Sequence, residues 1–388
     1  MAAVAWRQWF GNGLLLMLSL LWVGSVVLAI EYGTRHSWLF WIEHWTGDWR
    51  TMLFSDRPKG QHSKIAVVNV TEETLQAYPY RTPIDRDLVA RLVTTIDEAG
   101  AEAIAIDYLF LKATEPDKDE KLVQAIRAAS ARVVLAVGDK RVELTEAQRA
   151  YQSEFLQRTG AEPGFANLLT GRDRIVRFIA PPVDKTVPKS LAVAAAKPAA
   201  VVADGPRRIS WLLRPKDGNQ RFFTVPAHLL AGPPDAAQPV AAAALANFLK
   251  NKVVFVGADL VGLDRHLTPL PSWENDDEMP GVMIHAQVAA QLVDGRSITR
   301  VDAQALRIIF AMLAVIGFWI GLRHGTFGYS LYFGSTTLAL AAIDVGLFIG
   351  IRQFLPFGAC LAALIAGLIG GIAVRRLVAW VAIILRPT

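Results

Sequence analysis

Residues 64–107 read KIAVVNVTEETLQAYPYRTPIDRDLVARLVTTIDEAGAEAIAID, and their hydrophobic rhythm decides the fold class. Lys64–Val70 is a short, nearly unbroken apolar run rich in β-branched residues, the pattern of a strand buried on both faces. Over Asp85–Ala99 the period changes: Leu88, Val89, Leu92, Val93 and Ile96 share one helical face, and Gly100 stops the helix. Ala103–Asp107 (AIAID) returns to a strand. A strand, a helix and a second strand in that order imply parallel pairing through a helical crossover.

The alternation continues downstream. Lys118–Ala131 aligns Leu122, Val123 and Ile126 as a helix, and Arg132–Val137 is the next strand. Ile209–Leu213 and Val253–Val256 are short strand candidates, and Pro280–Val293 is a helix opened by proline and glycine. The alanine-rich stretches Ala192–Val202 and Ala236–Ala246 carry little pattern. The expected fold is α/β with a mixed or parallel sheet.

Outside this block the chain changes character. Of its 388 residues, 53% are hydrophobic and 19% charged, with a mean hydropathy of +0.31. An ordinary soluble domain is about 25% charged. The excess lies in four apolar runs, Leu14–Ile30, Ile308–Leu322, Phe327–Ile351 and Phe354–Val374. Roughly 20 apolar residues span the hydrocarbon of a bilayer. The second run reaches that length if it begins near Ala305 and Arg307 snorkels to the interface. The first also fits a cleaved signal peptide, with Val27 and Ala29 as the small-residue site, but Arg7 is the lone charge before it and the run is long for a signal core. We read it as an uncleaved anchor.

If all four runs span, Arg7, Arg323, Arg375, Arg376 and Arg386 fall on one side, and the positive-inside rule places both termini in the cytoplasm. The expected plan is an N-terminal stub and first span over 1–30, an extracytoplasmic domain over 31–304, three spans over 305–374 and a cytoplasmic or interfacial tail over 375–388. The expected location is a bacterial inner membrane. The net charge of +5 is not gathered into a basic tract, so nucleic acid is not an implied partner. The single cysteine, Cys360, excludes a disulfide framework and a cysteine-based zinc site.

Seven segments occur in an order that resembles the CHASE2 domains, extracytoplasmic sensor domains of bacterial signalling proteins. They are Pro83–Arg86 (PIDR), Ala103–Asp107, the pair Asp119 and Leu122, Gly164–Asn167 (GFAN), Lys252–Ala258 (KVVFVGA), Asp264–Pro269 (DRHLTP) and Met279–Ala286 (MPGVMIHA). The resemblance covers about residues 35–300, and one helix before the domain with three after it suits the family. One departure is Asp173-Arg174-Ile175-Val176-Arg177, where the family usually has Asp-Gly followed by an arginine. That leaves the role of Arg177 open. Family members commonly carry a cytoplasmic effector after the last helix. This sequence shows no Gly-rich phosphate loop or kinase-like motif, so output through a separate protein is expected.

Ligands of open parallel sheets bind at the carboxyl ends of the strands. Asp107 closes one strand and Asp264 follows another; His266 lies two residues on, and His285 sits in the first turns of the helix after Gly281. These four, with Arg86, are the candidate ligand-binding residues. Two carboxylates and two imidazoles at one edge suit a polar solute or a hydrated metal ion. The plainer reading, preferred on residue types alone, has the aspartates capping helices or fixing turns and the histidines satisfying backbone groups. Arg86 pairs with a strand-end carboxylate or, more plainly, sits on a helix surface. No cofactor, metal or catalytic residue is assigned. His266 or His285 as base with Thr268 or Ser272 as nucleophile is the alternative hydrolase, without a Gly-x-Ser-x-Gly or His-Glu-x-x-His to support it.

In the apolar runs, Gly317/Gly321, Gly346/Gly350 and Gly367/Gly371 have the spacing that lets helices approach closely, within a chain or between chains of an oligomer. Asp344, deep in its run, needs a partner, most plainly an interhelical hydrogen bond. The tail is apolar nearly all round, and Leu377, Trp380 and Ile384 are its candidate contacts with lipid or a partner. The function these features favour is a membrane-bound sensor or signalling subunit. A scaffold subunit of an envelope complex is the alternative, and a membrane-held hydrolase the third.

Overall fold

The structure, a computed structural model, describes residues 2–36, 38–196, 207–232, 240–274 and 277–384. Leu385, Arg386 and the parts of the alanine-rich stretches at 197–202 and 236–239 lie outside the described residues. The chain forms two compact units, Ser55–Ile298 and a helical unit of Met1–Phe54 with Thr299–Thr388. The principal helices, in chain order, are α1 (Ala2–His36), α2 (Trp38–Phe54), α3 (Arg86–Glu98), α4 (Pro116–Ala128), α5 (Glu146–Thr159), α6 (Leu191–Ala196), α7 (Gly281–Val293), α8 (Ala303–Arg323), α9 (Thr326–Ile351) and α10 (Phe357–Ile384).

The unit Ser55–Ile298 is built on six strands: β1 (Ile65–Val70), β2 (Ala103–Ile106), β3 (Arg132–Val137), β4 (Glu162–Phe165), β5 (Phe223–Pro226) and β6 (Val253–Ala258). Their order is β4-β3-β2-β6-β1-β5 and every neighbouring pair is parallel. Alternate residues face opposite sides of a strand, and here both sides are covered. Ala66, Val68 and Val70 join a core with Leu88, Leu92 and Ile96 of α3 and Leu122 of α4. Ile65 and Val67 face the other way, into a core with Leu191 of α6 and Val282 and Ala289 of α7. Each leucine or isoleucine fully withdrawn from water contributes about 1.5–3 kcal/mol before entropy is counted. α3 starts where Asp85 caps it, its carboxylate accepting from the Asp87 and Leu88 amides.

Ile209–Leu213 is not a strand of the sheet. Arg207–Arg208 pairs antiparallel to Phe178–Ile179, Leu212 makes an isolated parallel bridge with Asp56, and the apolar residues run buried across α7. The Ile209 and Leu213 amides donate to the Arg177 and Asp56 carbonyls, and the Ser210 and Leu212 amides between them meet side chains, because Gln287 and Gln291 lie one turn apart on α7 and fully buried. Gln291 Oε1 accepts from Ser210 N at 2.7 Å and Gln287 Oε1 from Leu212 N at 3.0 Å. Their amide nitrogens donate to the Arg208 and Leu212 carbonyls. The apolar run resembled a strand because both structures bury a backbone that must find partners.

At 171–177 a turn closes with Gly171 N donating to Ile175 O. Arg177 is buried and its guanidinium grips both oxygens of Asp173, at 2.9 and 2.6 Å. The glycine absent from the sequence leaves Arg174 at φ +65°, a left-handed conformation costly for a residue with a Cβ. Arg174→Gly should therefore raise the stability of the domain by about 1 kcal/mol, read as a higher melting temperature. An unchanged or lower one would show that the arginine side chain outweighs the backbone strain.

In the helical unit, four helices are long and apolar enough to cross a membrane: Leu16–Thr34 of α1, and α8, α9 and α10. α8 and α10 pack through paired glycines. A Cβ at Gly317 or Gly321 would land on the Leu364 or Leu368 carbonyl, and one at Gly367 or Gly371 on that of Ala314 or Phe318. Gly346 and Gly350 on α9 differ: a Cβ there meets open space among the described residues. Trp22 of α1 donates to the Ala366 carbonyl at 3.1 Å. Asp344 of α9 pairs with Arg50 of α2, which also donates to Leu355 O at 2.8 Å and stacks on Phe354. Arg307 pairs with Glu31 at 2.5 Å, and Arg375 donates to the His324 carbonyl. The sequence reading missed α2, which packs with the helical unit, while the α/β unit runs from Ser55 to Ile298. The tail residues Leu377, Trp380 and Ile384 are exposed on the last turns of α10, which runs unbroken through Arg375 and Arg376.

Candidate ligand-binding cavity at the carboxyl edge of the sheet

The loops leaving β2, β3, β4 and β6 surround a cavity of about 740 Å³. Arg86, Asp107, Asp264, His266 and His285 all line it. Pro83, Ile84 and Asn167 join them, so segments far apart in the chain meet at one place. Leu109, Leu111, Val142, Leu168, Leu260 and Leu263 make the rest of its wall largely apolar. The volume is that of a small-molecule pocket, about 300–1,000 Å³.

Each polar group has a distinct local cause. Asp264 adopts φ +50°, a conformation aspartate tolerates better than most residues, and its carbonyl accepts from Gly281 N at 3.0 Å. A hairpin of Arg265–Leu267 with Glu278–Pro280 holds it there. Its carboxylate lies over the start of α7, where a Cβ on Gly281 would strike it, and meets His266 Nε2 at 2.9 Å. Pro280 supplies no side-chain cap, so the positive end of the helix is compensated by this carboxylate. His285 is buried one turn into α7, and its Nε2–H donates to the Ala166 carbonyl at 3.2 Å, the tautomer that a carbonyl acceptor requires. Burial lowers its pKa to about 4, so the imidazole is neutral at pH 7.

Asp107 is unlike these. Gly257 lets β6 and Val282 of α7 close over it, since a Cβ on Gly257 would collide with Val282 and crowd Asp107. Its side chain is 9% exposed and lies 3.9 Å from His285 Nε2, beyond hydrogen-bonding reach. Among the described residues its carboxylate makes no hydrogen bond. Burial, and then the Asp264 carboxylate, push its pKa well above the ordinary range. Tyr108 beside it also lines the cavity, with a buried hydroxyl that has no hydrogen-bond partner among the described residues.

Arg86 corrects the sequence reading. It is neither on the helix surface nor paired with a strand-end carboxylate: it is buried, with Nε 3.3 Å from Asp119 on α4 and its guanidinium over the Phe110 ring. Asp119 is held in turn by Thr114 N and Oγ1, both at 2.8 Å. Asp119 was visible in the sequence, but not that the start of α4 brings it to Arg86. Tyr108, one residue beyond a strand end already noted, was missed. Lys112, an exposed cation at the cavity, was also missed.

Among the described residues no serine or threonine hydroxyl hydrogen-bonds His266 or His285, and no cluster of three or more His, Cys, Asp or Glu side chains is arranged to hold a metal ion. The edge thus gathers carboxylates, neutral donors and an apolar wall without a nucleophile on either imidazole. Six of the seven segments that carry the CHASE2 resemblance contribute residues to this cavity. The family model for the CHASE2 domain matches residues 18–323. Comparison with curated proteins and with solved structures gives no match. The match takes in most of the chain, from within α1 to the end of α8, and the chain belongs to the CHASE2 family of extracellular sensor domains.

Proposed function

We infer that the chain is a multi-pass membrane sensor: the unit Ser55–Ile298 lies outside the cytoplasmic membrane and binds a small molecule in the cavity at the carboxyl edge of its sheet. The observation that carries this reading is the Asp107 carboxylate, 9% exposed and without a hydrogen bond among the described residues, facing a cavity of about 740 Å³. Asp264 and His285 have structural work that explains them. Asp107 has none, and a buried polar group without a partner costs roughly 1–3 kcal/mol. Such a cost is maintained where something arrives to meet it.

The membrane placement is supported by the four apolar helices and by α2. Trp41, Trp45 and Trp49 stand exposed on one face of α2, four residues apart, as expected of a helix lying in the headgroup region. Arg323 at the end of α8, and Arg375 and Arg376 within the last three turns of α10, fall on the side that the positive-inside rule assigns to the cytoplasm. Ligand binding shifts the population of two arrangements of the outer unit, and residues 294–302 lead along the chain from α7 to α8. The partner that reads the change meets the exposed Leu377, Trp380 and Ile384 on the last turns of α10. Reporter fusions test the placement. A fusion after Gly60 should read outside and one after Gly325 cytoplasmic. A cytoplasmic reading after Gly60 would remove the cavity from the outer face and the sensor reading with it.

A further inference from the structure

We propose that the cavity takes an organic ammonium, a small molecule whose cationic nitrogen seats at Asp107 and Asp264 and whose body lies along the leucine wall. This rests on the reading of the cavity as a ligand site and names the chemistry it selects.

The charges around Asp107 decide the sign of the ligand. From the loop after β6 comes the Asp264 carboxylate, from α7 the neutral His285, and from its own loop the phenol of Tyr108. Asp264 is already matched by His266 and the helix end. The cations nearby are committed or peripheral: Arg86 to Asp119, Arg81 to Glu72, and Lys112 exposed. An anion at Asp107 would meet two carboxylates with no cation dedicated to it. A primary ammonium has three donors and no acceptor; among the described residues Asp107 and the Tyr108 oxygen accept nothing, and a carboxylate such as that of Asp264 can accept beyond its one bond with His266. Charge-assisted hydrogen bonds of this kind are about twice as strong as neutral ones. Leu109, Leu168 and Leu263 offer nothing polar to the rest of the molecule, so the body should be apolar.

Burial and the Asp264 carboxylate both raise the pKa of Asp107, so protons compete with an ammonium for it. The affinity for the ammonium should rise about tenfold per pH unit below the raised pKa of Asp107 and level off above it. A neutral ligand that accepts a hydrogen bond from the protonated acid would show the opposite slope.

The test uses the full chain in lipid nanodiscs and three probes of similar size: phenethylammonium, 2-phenylethanol and 3-phenylpropanoate. Calorimetry should find phenethylammonium bound at least tenfold more tightly than the other two, with affinity increasing with pH. Asp107→Asn should abolish that preference. Should the variant fail to fold, the pH slope of the wild-type protein alone decides. Equal or tighter binding of the alcohol or the carboxylate, or an affinity for the ammonium that falls as pH rises, overturns the ammonium assignment and leaves the cavity as a ligand site. Absence of binding by all three probes overturns both.

Discussion

Gly367→Val should separate α8 from α10 and produce the largest loss of stability of any single change in the helical unit. A Cβ at Gly367 has no room, because the Ala314 carbonyl oxygen of the facing helix occupies that position. The obstacle is backbone, so no rotamer relieves it, and the two helices must move apart. Gly371, Gly317 and Gly321 would lose their contacts in the same movement. Overpacking a tight core costs typically 1–3 kcal/mol, and separating a whole interface costs more. Gly346→Val supplies the control, since a Cβ there faces open space, and surface changes usually stay within about 0.5 kcal/mol. Thermal unfolding of the two variants in the same detergent compares them directly. Equal damage from both would mean that the α9 glycines are covered in the membrane and that the packing derived for α8 and α10 is not special.

Asp344→Ala should be nearly as damaging, for an electrostatic reason. It leaves Arg50, whose side chain is 4% exposed, with the Leu355 carbonyl and the Phe354 ring as the contacts described above. Breaking one half of a buried ion pair costs about 3–5 kcal/mol because the other charge remains. Replacing both halves by apolar residues of similar volume is often neutral or stabilising. The double change Arg50→Met with Asp344→Leu should therefore recover most of the stability lost in Asp344→Ala. A double-mutant cycle on unfolding in detergent measures the coupling. Additive single effects would show that the two residues do not act as a pair.

Both predictions rest on features only half legible in the sequence. The glycine spacing is present in all three C-terminal apolar runs, yet among the described residues only the pairs on α8 and α10 meet another helix, since spacing says which residues share a face and not what that face meets. Asp344 announced its need for a partner. Arg50 did not announce itself, because a helix of mixed polarity with four tryptophans fits neither a span nor a soluble amphipathic pattern. The parallel sheet was readable because β1, β2, β3 and β6 are fully or nearly fully apolar. β4 and β5 are only partly buried, and their residues, EPGF and FTVP, form no apolar run to read. At the cavity, the rule that loops follow the carboxyl ends of strands gathered Asp107, Asp264, His266 and His285 correctly. Which of them lacked a partner was beyond any sequence pattern, because that depends on where the Ala166 carbonyl and the start of α7 fall.

The paired glutamines of α7 have a consequence for how movement at the cavity would be seen. The amide protons of Ser210 and Leu212 are shielded from water by Gln291 and Gln287, side chains of the helix that also carries His285. No strand neighbour on the sheet protects them. Their hydrogen–deuterium exchange therefore registers the position of α7 rather than the integrity of the β-sheet. If α7 shifts along its axis when the cavity fills, these two amides should change their exchange rate while those of β1 and β6 keep theirs. The protein thus carries an isotopic gauge of α7 that needs no attached label.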